Sequence, residues 1–317
     1  MNKKIALLLA AAVLLPACSG KKQQDNGDGL TGQLQLSGAF ALYPMAVKWS
    51  EEFQKLHPGV HIDISGGGAG KGMTDALANV VDIGMVSREV YPEEIAKGAY
   101  PFAVVKDAVI PVVNVNNPDI DDIRRIGLKK SIAIGLWDEK YSTWGQVLGT
   151  DSKTPVHVFT RSDACGAAET FAAWFDKKQD GLRATAIFGD PVIAEAVQKD
   201  KVGIGYNNIA YAYDQSTQQP LAGIAVIPLD VNENGQIDPE EDFYETTPGL
   251  IEAINDGRYP SPPARDLYLV TNGKPTKPEL IAFLEYVLSA EGQQWAGETG
   301  YISLSEEKLN AGLEKLK

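Results

Sequence analysis

Three segments of the chain share one hydrophobic pattern: a short apolar or alternating strand, a turn of small residues, and then a helix. The predicted strands cover 34–37, 60–64 and 156–159. The first turn of each following helix has unpaired N–H groups and carries the positive end of the helix dipole. Strands and helices that alternate in this way predict an α/β fold that binds anions at the carboxyl ends of its strands. The alternative is that the small residues only make tight turns.

The third of these segments, residues 161–171, contains the strongest combination of anion-binding groups. Arg161 offers a planar, permanently charged fork that matches an oxyanion, and a turn of small residues then leads into the helix. Asp163 pairs with Arg161 under both interpretations. The segment is therefore either one wall of an anion site or an ordinary strand-to-helix corner.

The second segment contains a glycine-rich run over residues 65–72 that superficially resembles a nucleotide-binding P-loop. That motif needs Gly at its first position and Ser or Thr after the Lys, whereas this chain has Ser65 and Gly72 there. A P-loop is therefore excluded, although a glycine-rich turn at a helix start still binds anions. A further apolar strand over 81–86 ends in Ser87 and Arg88, which add a hydroxyl and a second guanidinium.

The amino terminus predicts export. A short basic segment precedes an apolar run over 5–15, which has the length of a signal peptide and is too short for a membrane-spanning helix. The run ends in a sequence like the lipobox of bacterial lipoproteins, so cleavage after residue 17 would leave Cys18 as the lipidated first residue. A plain secretory signal is the alternative. The polar stretch that follows is predicted to be a flexible tether.

Composition narrows the classes of function. The chain has 317 residues, 44% of them hydrophobic, which is enough for one large domain or two lobes. Its net charge of −13 argues against nucleic acid as a partner. Cys18 and Cys165 are the only cysteines, and the three histidines lack the spacing of a metal or catalytic site.

A separate segment, residues 230–241, matches the calcium-binding loop of an EF-hand. Gly235 stands at the sixth position, where the loop turns sharply. The predicted calcium ligands are Asp230, Asn232, Asn234, Gln236 (through its carbonyl), Asp238 and Glu241. The preceding residues predict a strand, so this would be an isolated structural loop. An acidic surface loop without metal is the alternative.

The order of these segments resembles the phosphate-binding lipoproteins and periplasmic proteins that supply phosphate ABC importers. The resemblance covers nearly all of the mature chain, and it depends on the order and spacing of motifs rather than on any single one. The matching segments are 38–44, 66–72, 82–88, 144–146, 161–171, 203–206, 268–271 and 282–293.

The resemblance implies a two-lobed periplasmic-binding-protein fold of type 2, in which each lobe is a mostly parallel sheet flanked by helices and the ligand lies between the lobes. The first lobe is predicted to cover 33–112 and 214–317, and the second 113–213, after a signal peptide over 1–17 and a lipidated tether over 18–32. It also implies an exported monomer that is held on a bacterial membrane by its lipid alone and delivers phosphate to an ABC permease.

The resemblance further implies that backbone N–H groups from both lobes surround the anion, with Arg161 making a bidentate contact. The implied ligand-binding residues are Ala39, Phe40, Ala41, Ala69, Gly70, Ser87, Arg88, Arg161, Cys165, Gly166 and Ala167.

This chain departs from the better-known members of that family at several of these positions. Phe40, Ala69, Cys165 and Ala167 stand where those members carry hydroxyl groups, and Arg88 stands where they carry an Asp that accepts the proton of hydrogen phosphate. A charge-assisted hydrogen bond contributes about 1.5–3 kcal/mol, against ~1 kcal/mol for a neutral one, so a second arginine compensates for lost hydroxyls. Because this acceptor is missing, the sequence leaves open whether the ligand is phosphate, sulfate, molybdate or tungstate.

Three further alternatives follow from particular residues. Glu169 or Asp163 could supply the missing acceptor. Cys165, a thiol at a helix start beside an arginine, is expected to have a depressed pKa, yet the sequence offers no nearby base and we expect no catalysis. The third alternative is a calcium-stabilised sensor or interaction protein, which would present an interface and not a closing cleft.

Overall fold

The computed structural model describes residues 29–317, and its first part repeats the predicted strand–turn–helix unit. The elements in order are β1 (Thr31–Ala39), α1 (Tyr43–Leu56), β2 (Gly59–Gly67), α2 (Ala69–Leu77), β3 (Ile83–Val86), α3 (Pro92–Ala96) and β4 (Ala99–Asn114). Helix α1 begins at Tyr43, and Pro44 is favourable in its first turn, where the missing N–H of proline is not needed. Strand β1 begins at Thr31, so the last two residues of the predicted tether belong to the strand.

The second part alternates shorter strands with helices. Its elements are α4 (Ile120–Ile126), β5 (Leu128–Lys129), α5 (Lys130–Leu136), α6 (Trp144–Leu148), β6 (His157–Arg161), α7 (Gly166–Trp174), β7 (Thr185–Ile187), α8 (Asp190–Lys199), β8 (Gly203–Asn208), β9 (Ile224–Val226), β10 (Leu229–Asp230) and α9 (Thr247–Asp256). The chain then ends with β11 (Ala264–Asn272), α10 (Pro278–Leu288), α11 (Ala290–Gln293), α12 (Trp295–Glu298) and α13 (Glu306–Leu316).

Strand β4 is long enough to belong to two sheet halves. The strand order is β2-β1-β3-β11-β4-β8-β6-β7, with β9 also paired to β4. The first half of β4 pairs with β11, whereas its second half, from Val109, pairs with β8 and β9. Each half contains one parallel triplet, β2-β1-β3 and β8-β6-β7, and its remaining strands are antiparallel. The predicted α/β fold of mostly parallel sheet and flanking helices is confirmed.

Two hydrophobic cores define two lobes. The first-lobe core contains the inward faces of α1 and α10, where the rings of Phe53 and Phe283 meet edge-to-face at 5.3 Å. The second-lobe core is centred on α7, where Phe171 stacks on Tyr206 at 4.4 Å. The chain passes between the two cores at β4 and again at the start of β11.

The predicted lobe boundary at residue 214 is wrong. Buried side chains between Ile224 and Ala264 pack in the second-lobe core, so the chain returns to the first lobe only at Leu267. The physical reason is that β9 pairs with the second half of β4, joining Val226 to Val112. Such a pairing between distant segments leaves no local signal in the sequence.

The two crossing strands also bring a buried ion pair to the junction of the lobes. In the antiparallel pairing of β4 with β11, Asp107 lies opposite Arg265. Both residues are buried, one position before the point where β4 enters the second lobe. Within residues 29–317, no helix combines the length and hydropathy that crossing a membrane requires.

Candidate functional site

The four predicted anion-binding segments meet where the two lobes touch. They are the end of β1, the start of α2, the end of β3 and the start of α7. Gly70 N donates a hydrogen bond to Ala164 O across the lobes at 3.1 Å. A Cβ on Gly166 would lie 2.0 Å from Ser87 O, so only glycine allows this approach. The structure therefore brings the predicted residues together, with the lobes in contact.

The start of helix α7 presents N–H groups toward this junction. Gly166 and Ala167 are the first two residues of the helix, and their N–H groups precede the first intrahelical hydrogen bonds. Cys165 is the N-cap and its Sγ accepts a hydrogen bond from Ala168 N at 3.3 Å. The Cys165 N–H donates to Gln179 Oε1 at 3.0 Å, so this predicted anion donor is already used.

Cys165 is not an activated thiol, contrary to the sequence expectation. Its residue is 6% exposed, and burial raises the pKa of the thiol to about 12 despite the nearby guanidinium of Arg161. Desolvation of the thiolate outweighs the favourable charge because the lobes exclude water from this position. The thiol is therefore a neutral cap and a poor nucleophile.

This protonated state has a chemical test. In a Cys18→Ser variant, Cys165 is the only thiol, and a pKa near 12 leaves about one molecule in ten thousand ionised at pH 8. We expect the native protein to react with a disulfide reagent at least about 100-fold more slowly than the same chain in denaturant. Equal rates in the two states would contradict this assignment.

Arg161 is the central cation of the site, and its side chain is 1% exposed. Asp163 binds one edge of the guanidinium, with Nε–Oδ1 at 2.8 Å and Nη2–Oδ2 at 2.6 Å, which confirms the predicted pair. The buried carboxylate of Asp190 accepts a hydrogen bond from Nη1. Burial acts to lower the pKa of Arg161, but the two carboxylates outweigh it and hold the pKa above its usual value. Three of its five N–H groups are engaged in these contacts, which leaves two for a ligand.

The first turn closes the outer side of the site. The Phe40 ring lies against Gly66, meets Phe188 edge-to-face at 6.0 Å, and lies 5.9 Å from the Arg161 guanidinium carbon. Tyr211 Oη donates to Phe40 O at 3.1 Å and fixes the turn. The aromatic ring of Phe40 therefore covers the candidate site at a position where the sequence offers no hydroxyl group as a ligand.

The remaining predicted donors differ in their burial and in the contacts that they make. Ala39, Ala41 and Ala69 are buried at the first and second turns, and Ser87 is buried beside Gly166. The N–H of Gly70 is used in the hydrogen bond to Ala164 described above. A bound anion would compete with that contact. The predicted donors thus lie near one another, but the N–H groups of Gly70 and Cys165 make hydrogen bonds within the protein.

Arg88 does not act as a second cation of the site. Its guanidinium forms a bidentate pair with Glu94, at 2.9 and 2.7 Å, and lies 4.3 Å from the centre of the Tyr91 ring. These contacts turn it toward a separate interlobe cavity of about 520 Å³. The sequence analysis did not anticipate this pair with Glu94, which lies six residues along the chain. Glu169, one of the two candidate acceptors, accepts hydrogen bonds from Tyr91 Oη at 2.9 Å and from Gln179 N at 3.1 Å.

Four buried polar residues near the site were not predicted. Asp190 and Asn208 lie behind Arg161, and Arg265 and Asp107 continue the cluster toward the crossing strands. The sequence did contain a signal for two of them, because an Asp and an Arg stand inside otherwise apolar strands. A charged residue is rarely buried in this way unless it is paired. Asp190 also begins α8 directly after a glycine and before a proline, a common helix start.

The predicted calcium loop has the turn of an EF-hand, but its polar side chains make hydrogen bonds within the loop. Gly235 has a φ of +91°, as the sharp turn at position six requires, and Asp230 Oδ2 accepts Gly235 N at 2.7 Å. The side-chain amides of Asn232 and Asn234 donate to Asp238 Oδ2, so their nitrogens and not their oxygens face this carboxylate. In residues 29–317, no three His, Cys, Asp or Glu side chains are arranged as a metal site.

The predicted signal peptide, Cys18 and most of the tether lie outside the described residues. Their assignment is unchanged by the structure.

The chain is similar in sequence to curated phosphate-binding proteins. A curated relative, the phosphate-binding protein PstS of Staphylococcus haemolyticus, is 25% identical over 322 residues, covering 98% of this chain and 94% of that protein. The PstS of Staphylococcus aureus strain USA300 is 24% identical, covering 98% and 90%.

Solved structures share the fold. A Clostridium perfringens structure, described as a phosphate ABC transporter substrate-binding protein with bound phosphate, superimposes with a TM-score of 0.71 at 23% identity, covering 86% of this chain and all of that one. An ABC-type phosphate transport receptor from Vibrio cholerae has a TM-score of 0.62 at 17% identity, with the same coverage. Residues 23–291 match the family model for a PBP superfamily domain, and the chain therefore belongs to the PBP superfamily.

Proposed function

We propose that this protein captures phosphate between its lobes and delivers it to an ABC importer, without catalysing a reaction. The observation that carries the proposal is the start of α7, where the N–H groups of Gly166 and Ala167 lie beside the buried Arg161 at the contact between the lobes. Helix N-termini and guanidinium groups both favour oxyanions. The PstS relatives and the phosphate-bound neighbour support the choice of phosphate.

The carboxylates around Arg161 favour a ligand that carries a proton. Asp163 and Asp190 already neutralise the guanidinium, and Arg88 brings no second positive charge to the site. A fully ionised anion such as sulfate would meet these carboxylates with repulsion, whereas hydrogen phosphate can donate a hydrogen bond. Phosphate is therefore preferred over sulfate, molybdate and tungstate.

Titration calorimetry with phosphate, sulfate and molybdate tests this function. We expect heat of binding with phosphate, weaker or absent heat with the other two, and a decrease in radius of gyration on adding phosphate in small-angle scattering. Compaction would also separate a closing cleft from the alternative of a sensor or interaction protein with a fixed surface. No heat with any of the three anions would reject the proposal.

We also propose that the chain is exported and anchored by a lipid on Cys18. The support is the lipobox-like sequence that ends the apolar run at the amino terminus. A Cys18→Ser variant expressed in a bacterial host should move from the membrane fraction to the soluble extracytoplasmic fraction. Retention of that variant on the membrane would exclude the lipid anchor.

Calcium binding by residues 230–241 is a third proposal, supported by the loop sequence and by the buried carboxylates at its two ends. Asp230 and Glu241 point into the loop and accept backbone N–H groups, as for Val231 N to Glu241 Oε1 at 2.9 Å. Asn232 and Asn234 would turn their amide oxygens inward to join them. The ion would then tie the loop to α4, where Ile237 N already donates to Arg125 O at 2.9 Å.

The calcium proposal predicts a stability change. A ligand that binds only the folded protein at 100 times its Kd stabilises it by about 2.7 kcal/mol, so millimolar CaCl2 should raise the melting temperature by several degrees. Glu241→Gln should abolish that rise, whereas Asp242→Asn, which alters an exposed neighbour outside the loop, should keep it. An equal response of both variants, or none in the parent protein, would show that the loop does not bind calcium.

A further inference from the structure

A continuous chain of buried polar contacts runs from the anion-binding arginine to the strands that connect the lobes. Arg161 Nη1 donates to Asp190 Oδ2, and Asp190 Oδ1 accepts from Asn208 Nδ2. Asn208 Oδ1 in turn accepts from Arg265 Nη2. Arg265 Nη2 lies 3.6 Å from Asp107 Oδ2 on the neighbouring strand. Two guanidinium groups and, with Asp163, three carboxyl groups therefore share one water-excluded region.

Asp107 is the least satisfied member of this chain. Its side chain has no solvent exposure, and its Oδ2 makes no hydrogen bond. The carboxyl group accepts a long hydrogen bond, 3.4 Å, from Ile209 N to Oδ1 and a second backbone hydrogen bond from the Ala108 N–H. A buried carboxylate with so few donors is costly to keep ionised.

The groups that face Asp107 come from every element around it. Arg265 on β11 lowers the pKa of Asp107 by its positive charge, and Asp190 on α8 raises it as a like charge. The phenols of Tyr211, Tyr259 and Tyr301 also lie close enough to interact with it, and all three are neutral because burial raises the pKa of each well above the physiological range. The ionisation of Asp107 therefore depends on two opposing charges: Arg265 lowers its pKa and Asp190 raises it.

We propose that binding of an anion in the cleft takes up a proton at Asp107. The inference rests on the proposed function. When all five charged groups are ionised, the region has one negative charge in excess, and a bound phosphate adds more. The bound anion also offsets part of the positive charge of Arg161. The negative charge of Asp190 is then less neutralised, and the electrostatic potential at Arg265 and Asp107 becomes more negative. Protonation of Asp107 is the change that restores balance, because its Oδ2 is free to carry the proton.

The direction of the effect agrees with the state of Asp107 before binding. Burial raises its pKa to about 7, and Arg265 only partly opposes this. The group is therefore mostly protonated below pH 6, where no proton remains to be taken up. Near pH 7 to 8 it is partly ionised, and an added negative charge raises its pKa further. Affinity should then fall as pH rises through this interval, because the bound state holds more protons.

Calorimetry of phosphate binding in buffers with different ionisation enthalpies measures the protons taken up. Near pH 7, we expect the protein to take up about half a proton more than the Asp107→Asn variant, and the difference should vanish below about pH 5.5. Over the same interval, the Kd of the parent protein should rise about 3-fold more per pH unit than that of the variant. The ionisation of phosphate itself contributes to both proteins and cancels in the comparison.

Asp266→Asn is the matched control, since it removes a partly exposed carboxylate next to Arg265 that pairs with Lys308 at the surface. It should leave proton uptake unchanged. Infrared difference spectra of the parent protein provide a measurement that needs no variant: phosphate should increase the absorption of a protonated carboxyl group near pH 7.5. Binding with equal proton uptake in the parent and Asp107→Asn proteins, or no such absorption change, overturns this inference alone. Absence of any phosphate binding overturns the proposed function with it.

Discussion

Replacing Arg161 by Met is expected to abolish phosphate binding and to lower the free energy of unfolding by about 3–5 kcal/mol. The side chain is almost fully buried between the carboxylates of Asp163 and Asp190. Removing the guanidinium leaves two buried negative charges without their partner, and it removes the only guanidinium that the described residues place at the start of α7. Denaturant unfolding and titration calorimetry measure the two effects separately.

Companion variants separate stability from binding. Combining Arg161→Met with Asp163→Asn and Asp190→Asn removes the unpaired charges, so this protein should regain most of the lost stability while still failing to bind phosphate. Arg183→Met, which removes an exposed arginine from the same lobe, should change neither property. Phosphate binding by the Arg161→Met protein at the parent affinity would place the anion elsewhere.

Replacing Gly166 by Ala is expected to weaken phosphate binding by about 100-fold or more while leaving the unliganded fold intact. The new Cβ would lie 2.0 Å from Ser87 O in the opposite lobe, so the lobes could not approach to the present distance. A shift at the start of α7 displaces the N–H groups of Gly166 and Ala167, and charge-assisted hydrogen bonds contribute about 1.5–3 kcal/mol each. Each 1.4 kcal/mol corresponds to a factor of ten in Kd.

The Gly166→Ala substitution should impair the closing of the two lobes on phosphate and should not impair folding. Alanine is more favourable than glycine in a helix, so the melting temperature of the unliganded Gly166→Ala protein should not fall. Small-angle scattering should show compaction by phosphate in the parent protein and none in this variant. Gly181→Ala, whose Cβ would meet only the flexible Lys177 side chain at 3.6 Å, is the control on the same lobe. Normal affinity in Gly166→Ala would show that binding does not need the lobe contact seen here.

Local sequence patterns predicted the strand–turn–helix segments that meet at the candidate site. The helix starts after Gly38, Gly68 and Cys165 follow from short apolar strands that end in small residues, a pattern with a direct steric and hydrogen-bonding cause. The pair of Arg161 with Asp163 was also predictable, because two residues of separation place both side chains on one side of the turn.

Longer-range features were predicted poorly, each for an identifiable reason. Arg88 was assigned to the cleft because its chain position matches a ligand position, but the partner that fixes it is Glu94. The pKa of Cys165 was expected to be depressed because the thiol lies near an arginine and a helix start, but burial raises it instead. The boundary at residue 214 was wrong because β9 returns to β4 from more than 100 residues away.

The sequence by itself determined the α/β fold, and it pointed to the segments and to the arginine, Arg161, that we propose for anion binding. These depend on local rules: hydrophobic period, helix starts and the chemistry of one side chain. Only the tertiary structure decided the charge state around that arginine, because Asp190, Asn208, Arg265 and Asp107 come from four separate elements that are brought together by packing. A pKa depends on burial and on distances to other charges, and neither is a property of neighbouring positions in a sequence.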